Sequence, residues 1–533
     1  MRAFWLALAA ACALTAHASV PGVGSGPGAP AEPAGPPAVA GLEEQEHPER
    51  PSLAPPEHGV WYEVFVRSFA DSDGDGVGDL PGLRSRLPYL AELGVTGLWL
   101  MPIHPSPSYH GYDVTDLYAV NPEYGTIEDL LRLLEDAHAL GIRVVLDLVP
   151  NHTSSLHPWF QAALAGDPKY RDYYLWSDDP PRWRGALGGS AWHEAGGAYY
   201  LGLFGPDMPD LNHRNPEVAR ELVDVASFWL GLGFDGFRVD AVQHVVEGED
   251  GLIANAPENY EWVRAFVATV RSAFPDAVLV GETWTEMPAI VRYHSAAGLP
   301  GSFDYPLWRE LTGALQRRSA SDLAFALAQA ESLYPPGAMR ATFTGNHDQT
   351  RLATQLSLPR RDERRLRLAA SLLLTLPGTP FVYYGEEVGM VDGPGDLDVG
   401  KRTPMAWERG PGLGFTTGVP WTDPGEPPPG ATVAEQRASP GSLWWHYRRM
   451  IAFRRIHPAL YRGRTRVLES GERAVLALER DAGDEVLYVL ANLSARDAHV
   501  SPTGLPSGLT DLLTGRAFDG TVPALTLLVL GER

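Results

Sequence analysis

The chain has 533 residues, of which 44% are hydrophobic, and a formal net charge of -23 at pH 7. This length is too great for one small core, so we expect a large domain of ~250 residues or more with smaller domains attached. The acidic surface would repel nucleic-acid phosphates, which excludes nucleic acid as a partner and favours an uncharged ligand.

The amino terminus has the pattern of an export signal. Residues 1–18 carry one early arginine and then an apolar stretch that is too short to span a bilayer. Two processing sites compete: Ala16 to Ala18 resembles a signal peptidase site, whereas Leu8 to Cys12 resembles a lipobox, with a lipoprotein signal of residues 1–11 and a lipid anchor at Cys12. We expect an exported protein, extracellular or periplasmic, without a transmembrane helix. Because Cys12 is the single cysteine, no disulfide can form within the chain.

Two kinds of segment follow the signal. Residues 19–52 are rich in Pro, Gly, Ala and Glu and have almost no aromatics, which predicts a flexible linker. From Val60 onward, apolar strand-like runs alternate with amphipathic helical stretches, the pattern of a parallel (β/α)8 TIM barrel. The eight predicted strands are VWYEVFVRSF, TGLWLMPI, RVVLDLVPNH, GFRVDAV, AVLVGETW, SFDYPL, ATFTGNHD and FVYYGEE.

Two of the intervening helices have clear boundaries. Thr126 precedes TIEDLLRLLEDAHALG as a cap and Gly141 ends it, and Pro216 lies in the first turn of PEVARELVDVASFWLGLG.

The regular spacing breaks at two places. Residues 153–215 are rich in aromatics, glycines and prolines without a clear helical period, which predicts an inserted subdomain between the third and fourth barrel strands. The barrel itself is then formed by residues 53–152 and 216–456. Short β runs separated by Gly, Asp and Pro predict a C-terminal antiparallel β-sandwich domain over residues 457–533.

Three of the barrel runs end in a carboxylate: Asp240 in GFRVDAV, Glu282 in VLVGETW and Asp348 in FTGNHD. The carboxyl ends of the strands of a β/α barrel meet at one face, where the active site is built. Cleavage of a sugar acetal requires a proton donor for the leaving oxygen and an anion below the anomeric carbon. The three acids therefore predict a site that hydrolyses or transfers sugar bonds.

The neighbours of two of these acids suggest different roles. Arg238 and Asp240 are two positions apart and face the same side of a strand, so the guanidinium can hold the carboxylate ionised, as a nucleophile requires. Glu282 follows an apolar run and precedes Trp284 closely, so loss of hydration is expected to keep it protonated as the acid. The alternatives are a structural ion pair and a solvated loop acid.

Two histidines follow barrel strands at the same face. Asn346, His347 and Asp348 bring donors and acceptors together, which suits hydrogen bonding to vicinal sugar hydroxyls, and His152 ends the third strand run. The alternatives are a helix cap for the triplet and a packed core residue for His152.

An acidic loop follows the first predicted strand. DSDGDGVGD places Asp71, Asp73, Asp75 and Asp79 at alternating positions around glycines, which clusters hard oxygen ligands for Ca²⁺. The twelfth residue is Gly82 rather than glutamate, so the loop is no EF-hand. The alternative is a solvated acidic turn, in which four close carboxylates would repel each other.

Taken together, DLVPNHT, GFRVDAVQHV, VGETW and FTGNHDQ, with MPDLN between the first two, resemble the signature of the α-amylase superfamily of glycoside hydrolases. The likeness covers nearly all of the chain from Val60. It implies that Asp240 is the nucleophile, Glu282 the general acid and base, and Asp348 the stabiliser of the distorted sugar. The substrate-binding residues that it implies are Tyr112, Asp113, His152, Arg238 and His347.

The resemblance also implies calcium. Oligoglucosidase-like members carry a loop like that of residues 71–79, in which a backbone carbonyl matches Val77. True amylases hold a second ion between barrel and insert through Asn, Asp and the carbonyl of a His, and Asn151, Asp210 and His244 match these positions. Oligoglucosidases generally lack that histidine, so His244 favours an amylase.

The subfamily motifs are mixed. MPDLN lies between the QPDLN of oligo-1,6-glucosidases and the MPKLN of neopullulanases, and Ala241 after the nucleophile resembles α-1,4-acting members. We therefore expect a monomeric, retaining hydrolase of α-1,4-glucosidic bonds in starch-type glucans and maltooligosaccharides. RTPMAW (402–407) and GFTTGVPW (414–421) resemble α-glucosidases and trehalose synthases, which keeps an exo-acting glucosidase or glucanotransferase open. A non-catalytic glucan-binding relative would be expected to lack one of the acids.

Overall fold

The computed structural model of the protein describes residues 55–248, 251–356, 362–395 and 397–532. The predicted export signal, with Cys12, and the 19–52 linker lie outside the described residues. Within the described ranges, no helix combines the length and the apolar character needed to cross a bilayer.

The strands that the structure describes are β1 Trp61–Val64, β2 Gly97–Leu100, β3 Arg143–Leu148, β4 Trp176–Ser177, β5 Trp192–Ala195, β6 Ala198–Leu201, β7 Gly236–Val239, β8 Val278–Gly281, β9 Gly301–Phe303, β10 Met339–Phe343, β11 Thr379–Tyr383, β12 Arg464–Val467, β13 Val475–Asp481, β14 Val486–Asn492, β15 Ala498–His499, β16 Thr510–Asp511, β17 Arg516–Ala517, β18 Thr521–Val522 and β19 Thr526–Gly531. The α-helices are α1 Val66–Phe69, α2 Leu80–Leu93, α3 Ile127–Ala139, α4 Pro158–Leu164, α5 Pro168–Arg171, α6 Pro216–Gly231, α7 Pro257–Ala273, α8 Met287–Ser295, α9 Tyr305–Arg317, α10 Ser321–Leu333, α11 Leu352–Leu356, α12 Glu363–Thr375, α13 Leu397–Lys401, α14 Val433–Ala438, α15 Leu443–Ile456 and α16 Pro458–Arg462.

Eight parallel strands close into a barrel in the order β1-β2-β3-β7-β8-β9-β10-β11, and β11 pairs with β1. These are the eight runs predicted from the sequence, so the (β/α)8 barrel is confirmed. Helices α3 and α6 follow the predicted boundaries: Thr126 forms a capping box with Asp129, and Pro216 is the first residue of α6.

The barrel interior has an apolar layer with polar side chains above it. Trp61, Val145 and other inward-facing residues form one buried cluster. Because strand side chains alternate between faces, the residues two positions later, Glu63 and Asp147, also point inward, now at the carboxyl ends of β1 and β3. Asp147 lies directly beside Arg238 in the β3–β7 register. The barrel thus delivers buried charges to the face where the active site is expected.

Residues between β3 and α6 contain a small antiparallel sheet of order β4-β6-β5. They also contain the short helices α4 and α5. These helices were not predicted, because the sequence of this region shows no clear helical period. These helices have seven and four residues and start at capping residues His157 and Asp167. Helices of two turns or fewer are too short to display a hydrophobic period.

The C-terminal part forms an antiparallel sheet domain, as predicted. A six-stranded sheet of order β12-β13-β14-β19-β16-β17 lies beside the two-stranded sheet β15-β18. Its β13 and β14 pair over seven residues each, Val475–Asp481 with Val486–Asn492.

Candidate active site

Arg238 brings the predicted acids of two barrel strands together. Its Nη1 lies 2.5 Å from Asp240 Oδ1 and its Nη2 lies 2.9 Å from Glu282 Oε2. The same Nη1 is 2.8 Å from Asp147 Oδ1. Asp240 and Glu282 therefore converge on one buried guanidinium at the carboxyl ends of β7 and β8.

Three carboxylates around one guanidinium make the site rich in negative charge. Burial raises the pKa of Asp240 well above its usual range, and Arg238 opposes this shift while Glu282 and Asp147 add to it. Burial likewise raises the pKa of Asp147 to about 6. The predicted contact between Arg238 and Asp240 is present, but burial and the neighbouring acids outweigh its effect on the pKa.

Glu282 is held by donors rather than by apolar surroundings alone. Its Oε2 accepts a hydrogen bond from the backbone N–H of Ala241 at 2.9 Å, and its Oε1 accepts one from the hydroxyl of Tyr305 at 3.0 Å. Trp284 reaches Glu282 only indirectly, since its half-exposed ring stacks on Tyr305 with centroids 4.9 Å apart. Tyr305 was not predicted, although it follows the end of β9 as the acids follow theirs.

Asp348, the third predicted acid, follows β10 and is held by Arg402 and His347. Arg402 Nη2 donates to Asp348 Oδ1 at 2.9 Å, and His347 Nε2 lies 3.2 Å from Asp348 Oδ2. Arg402 also donates from Nε to the carbonyl of His347 at 3.0 Å. The guanidinium therefore fixes both the side chain of Asp348 and the backbone that carries it.

Glu63 is a further site residue that the sequence analysis missed. Its Oε1 lies 2.6 Å from His347 Nδ1, and His347 Nε2 lies 2.8 Å from the hydroxyl of Tyr112. Burial raises the pKa of Glu63 and lowers the pKa of His347, so the charged form of each group is disfavoured. Tyr112 stacks on His347 and donates to Asp147 Oδ2 at 3.0 Å, which links this pair to Arg238. In the sequence, the only sign of this role was that Glu63 is a single charged residue within the apolar run of β1.

Asp113 is fixed by two serines. The hydroxyls of Ser106 and Ser108 both donate to Asp113 Oδ1, and His110 Nδ1 lies 3.9 Å from the same oxygen. Asp113 is buried, with 4% of its surface exposed. These contacts fix the position of the Asp113 carboxylate.

His152 is a buried member of the predicted binding set, with 2% of its surface exposed. It lies 5.3 Å from the Phe204 ring, and burial lowers its pKa to about 3, so it is neutral. Its buried Nε2 has no hydrogen-bond partner among the described residues. A buried nitrogen of this kind is a candidate donor to a sugar hydroxyl.

Comparison with known proteins decides the family. The sequence model described as "Alpha amylase, catalytic domain" matches residues 63–463. The chain belongs to the α-amylase family. It is 39% identical over 443 residues to "Alpha-amylase 3" of Dictyoglomus thermophilum, covering 82% of this chain and 85% of that protein.

Other relatives of this α-amylase family chain have different names. It is 36% identical over 488 residues to the trehalose synthase/amylase TreS of Mycobacterium tuberculosis, covering 81% of both chains. The solved α-amylase from H. orenii superimposes with a TM-score of 0.78 at 36% identity, covering 90% of this chain and 100% of that one. The protein is therefore an enzyme of the α-amylase family.

The predicted calcium loop of this α-amylase family enzyme gathers three of its four aspartates. Oxygens of Asp71, Asp73 and Asp79 lie within 4.8 Å of one another. Asp75 is not in this cluster, and its Oδ1 accepts a hydrogen bond from the Val77 N–H at 2.7 Å. Three converging carboxylate oxygens fit a hard cation such as Ca²⁺.

The second predicted calcium position also has oxygen atoms that can act as calcium ligands. Asn151 Oδ1, Asp210 Oδ2 and Glu247 Oε1 are buried and without hydrogen-bond partners among the described residues. Burial, and then the charge of Glu247, raise the pKa of Asp210, and burial raises the pKa of Glu247 to about 7. The ring of His244 hydrogen-bonds to the carbonyl of Ile253 at 2.7 Å, which suits the use of its own carbonyl as a ligand. Glu247 was not predicted, since only the folded chain brings it to Asp210.

Proposed function

We propose that the enzyme hydrolyses α-1,4-glucosidic bonds in starch-type glucans and maltooligosaccharides with retention of the anomeric configuration. The observation that carries this proposal is the attachment of Asp240 and Glu282 to the two terminal nitrogens of Arg238. Such sharing favours the ~5–5.5 Å carboxyl separation of retaining glycosidases over the ~6.5–9.5 Å that inverting enzymes need to admit a water molecule.

The residues then have separate roles. Arg238 engages Oδ1 of Asp240, so Oδ2 attacks the anomeric carbon as the bond to the leaving oxygen breaks. Glu282 donates its proton to that oxygen and afterwards removes a proton from the water that releases the sugar from Asp240. Asp348, fixed by Arg402, binds the hydroxyls of the distorted ring.

A second candidate is an exo-acting α-glucosidase or a glucanotransferase that acts on short maltooligosaccharides. The serine-bound Asp113 favours it, because a fixed carboxylate oxygen suits recognition of one terminal sugar. A relative named trehalose synthase/amylase is also consistent with transfer.

Product analysis tests both candidates. With starch, maltotriose and maltose as substrates, we expect new reducing ends in the α configuration by NMR during the first minutes, and products of several lengths from starch. Products in the β configuration would refute retention. Glucose as the sole product from chain ends would favour the exo-acting enzyme, and chains longer than the substrate would favour transfer.

We further propose two calcium ions. The first is held by Asp71, Asp73, Asp79 and the carbonyl of Val77, where it would stabilise the loop after β1. The second is held by Asn151, Asp210, Glu247 and the carbonyl of His244, where it would neutralise two buried carboxylates between barrel and insert. Each ion supplies charge compensation only, and no catalytic step passes through it.

Calcium titration distinguishes these ligands from their neighbours. We expect two sites by calorimetry, and an ion present at 100 times its dissociation constant stabilises by ~2.7 kcal/mol, so chelation should lower Tm by about 5 °C or more. Asp73→Asn should remove one site, whereas Asp75→Asn in the same loop should retain both. Equal losses in the two variants would contradict the three-carboxylate cluster, and an unchanged Tm after chelation would contradict structural calcium.

A further inference from the structure

The 71–79 loop is in direct backbone contact with a distant segment, residues 415–421. Asp71 N–H donates to the Phe415 carbonyl at 2.9 Å, and Trp421 N–H donates to the Gly76 carbonyl at 2.9 Å. A Cβ on Gly76, which has a φ of +96°, would lie 1.9 Å from the Val419 carbonyl oxygen. Only glycine permits this approach, so displacement of the loop must displace the segment.

Trp421 extends this contact to the catalytic face by hydrogen bonds. Its Nε1 donates to Ser68 Oγ at 3.0 Å, and the Ser68 hydroxyl donates to the Arg402 carbonyl at 2.5 Å. The Arg402 side chain then holds Asp348 and the His347 carbonyl. Two hydrogen bonds thus connect the indole to the backbone of the arginine that fixes Asp348.

The ring of Trp421 makes a second connection. It stacks on Tyr109 with centroids 5.4 Å apart and an interplanar angle of 24°, and the Arg67 guanidinium lies over the ring, 5.5 Å from its centroid. Tyr109 and Arg67 line a cavity of about 640 Å³, together with Ser106 and Ser108, which hold Asp113. Trp421 therefore supports the wall of the cavity as well as Arg402.

We infer that Trp421 is a positioning residue that couples the 71–79 loop to Asp348 and to the Tyr109 wall of the adjacent cavity. The inference rests on the proposed function, in which Asp348 binds the reacting sugar. An ordered loop fixes the Gly76 carbonyl, and hence the indole, Ser68 and Arg402. Loss of the loop's cation is then transmitted to the active site through Trp421.

Kinetics of three variants test the hydrogen-bond path. Trp421→Phe retains a ring and loses the Nε1 donor, and Ser68→Ala removes the next link. Each should lower kcat on maltotriose about tenfold with little change in KM, since small misplacements of catalytic groups are costly. Trp421→Leu should also raise KM, because Tyr109 loses its stacking partner. Trp445→Phe is the matched control, because Trp445 Nε1 donates to the Arg437 carbonyl at 3.0 Å on α14.

Additivity decides whether the two residues act as one path. The Trp421→Phe/Ser68→Ala double variant should be no slower than the slower single variant, because both substitutions interrupt one chain of contacts. Multiplied losses, or a kcat that stays at the wild-type value in both single variants, would overturn the inference.

Calcium binding gives a readout that needs no substrate. Coupling between two sites is reciprocal, so Trp421→Leu should weaken calcium at the 71–79 loop by at least about fivefold and leave the other calcium site unchanged. An unchanged dissociation constant at the loop would overturn the coupling. If wild-type enzyme fails to cleave maltotriose while this calcium shift is observed, the proposed substrate is wrong and the coupling holds.

Discussion

Replacement of Asp240 by asparagine is expected to lower kcat on maltotriose by ~10⁴-fold or more, because the amide is not a nucleophile and no covalent intermediate can form. The fold should be retained. Three carboxylates lie around Arg238, which concentrates negative charge at this buried position. A neutral side chain of the same size relieves repulsion and leaves Arg238 paired with Asp147 and Glu282. Initial rates and circular dichroism on the same preparation measure both effects.

The matched control for Asp240→Asn is Asp322→Asn. Asp322 is 61% exposed and forms an ion pair with Arg317 at 3.0 Å, an interaction of about 0.2–1 kcal/mol at most surfaces. The Asp322→Asn substitution should leave kcat and KM unchanged. A folded Asp240→Asn variant with more than a tenth of the wild-type rate would show that another group attacks the sugar.

The barrel could be predicted because its strands have a clear pattern in the sequence. Strands such as β3 and β7 are covered on both faces, so they appear as apolar runs, and acids at their ends stand out. The position of Asp240 relative to Arg238 follows from the two-residue repeat of a strand. These two patterns place the catalytic acids at the active-site face without any knowledge of tertiary contacts.

The electrostatics of the site could not be predicted in the same way. The sequence pairs Asp240 with Arg238, whereas the β3–β7 register adds Asp147 to that guanidinium. A register between strands that are about 90 residues apart has no local signature. Consequently the sequence predicted an ionised Asp240, and the structure places it where burial and two more acids raise its pKa.

Turns and long loops account for most of the remaining differences. Four aspartates at alternating positions look equivalent in the sequence, but only Asp71, Asp73 and Asp79 bring carboxylate oxygens together in the folded loop. Arg402 and Trp421 follow β11 in segments without hydrophobic period, so the contacts of Arg402 with Asp348 and of Trp421 with Ser68 depend on long-range packing. The roles of such residues depend on tertiary contacts, so they can be identified only from the folded structure.

Replacement of Glu282 by glutamine is expected to lower kcat on maltotriose by ~10²–10⁴-fold, the usual contribution of a general acid. The glutamine amide can keep the contact with the Tyr305 hydroxyl, so binding should be preserved. With α-maltosyl fluoride the loss should be much smaller in the first step, because fluoride departs without a proton. The second step still lacks its base, so the sugar should accumulate on Asp240, where intact-protein mass spectrometry detects it.

Comparison of the two substrates separates the acid from a merely structural residue. A structural defect at Glu282 would slow the first step of maltotriose and of the fluoride alike, whereas loss of a proton donor slows the first step only for the substrate whose leaving group needs the proton. Glu286→Gln is the matched control, since Glu286 lies in the same loop after β8, is 72% exposed and pairs with Arg309. Equal losses on both substrates, without accumulation of a glycosylated protein, would assign the proton to a group other than Glu282.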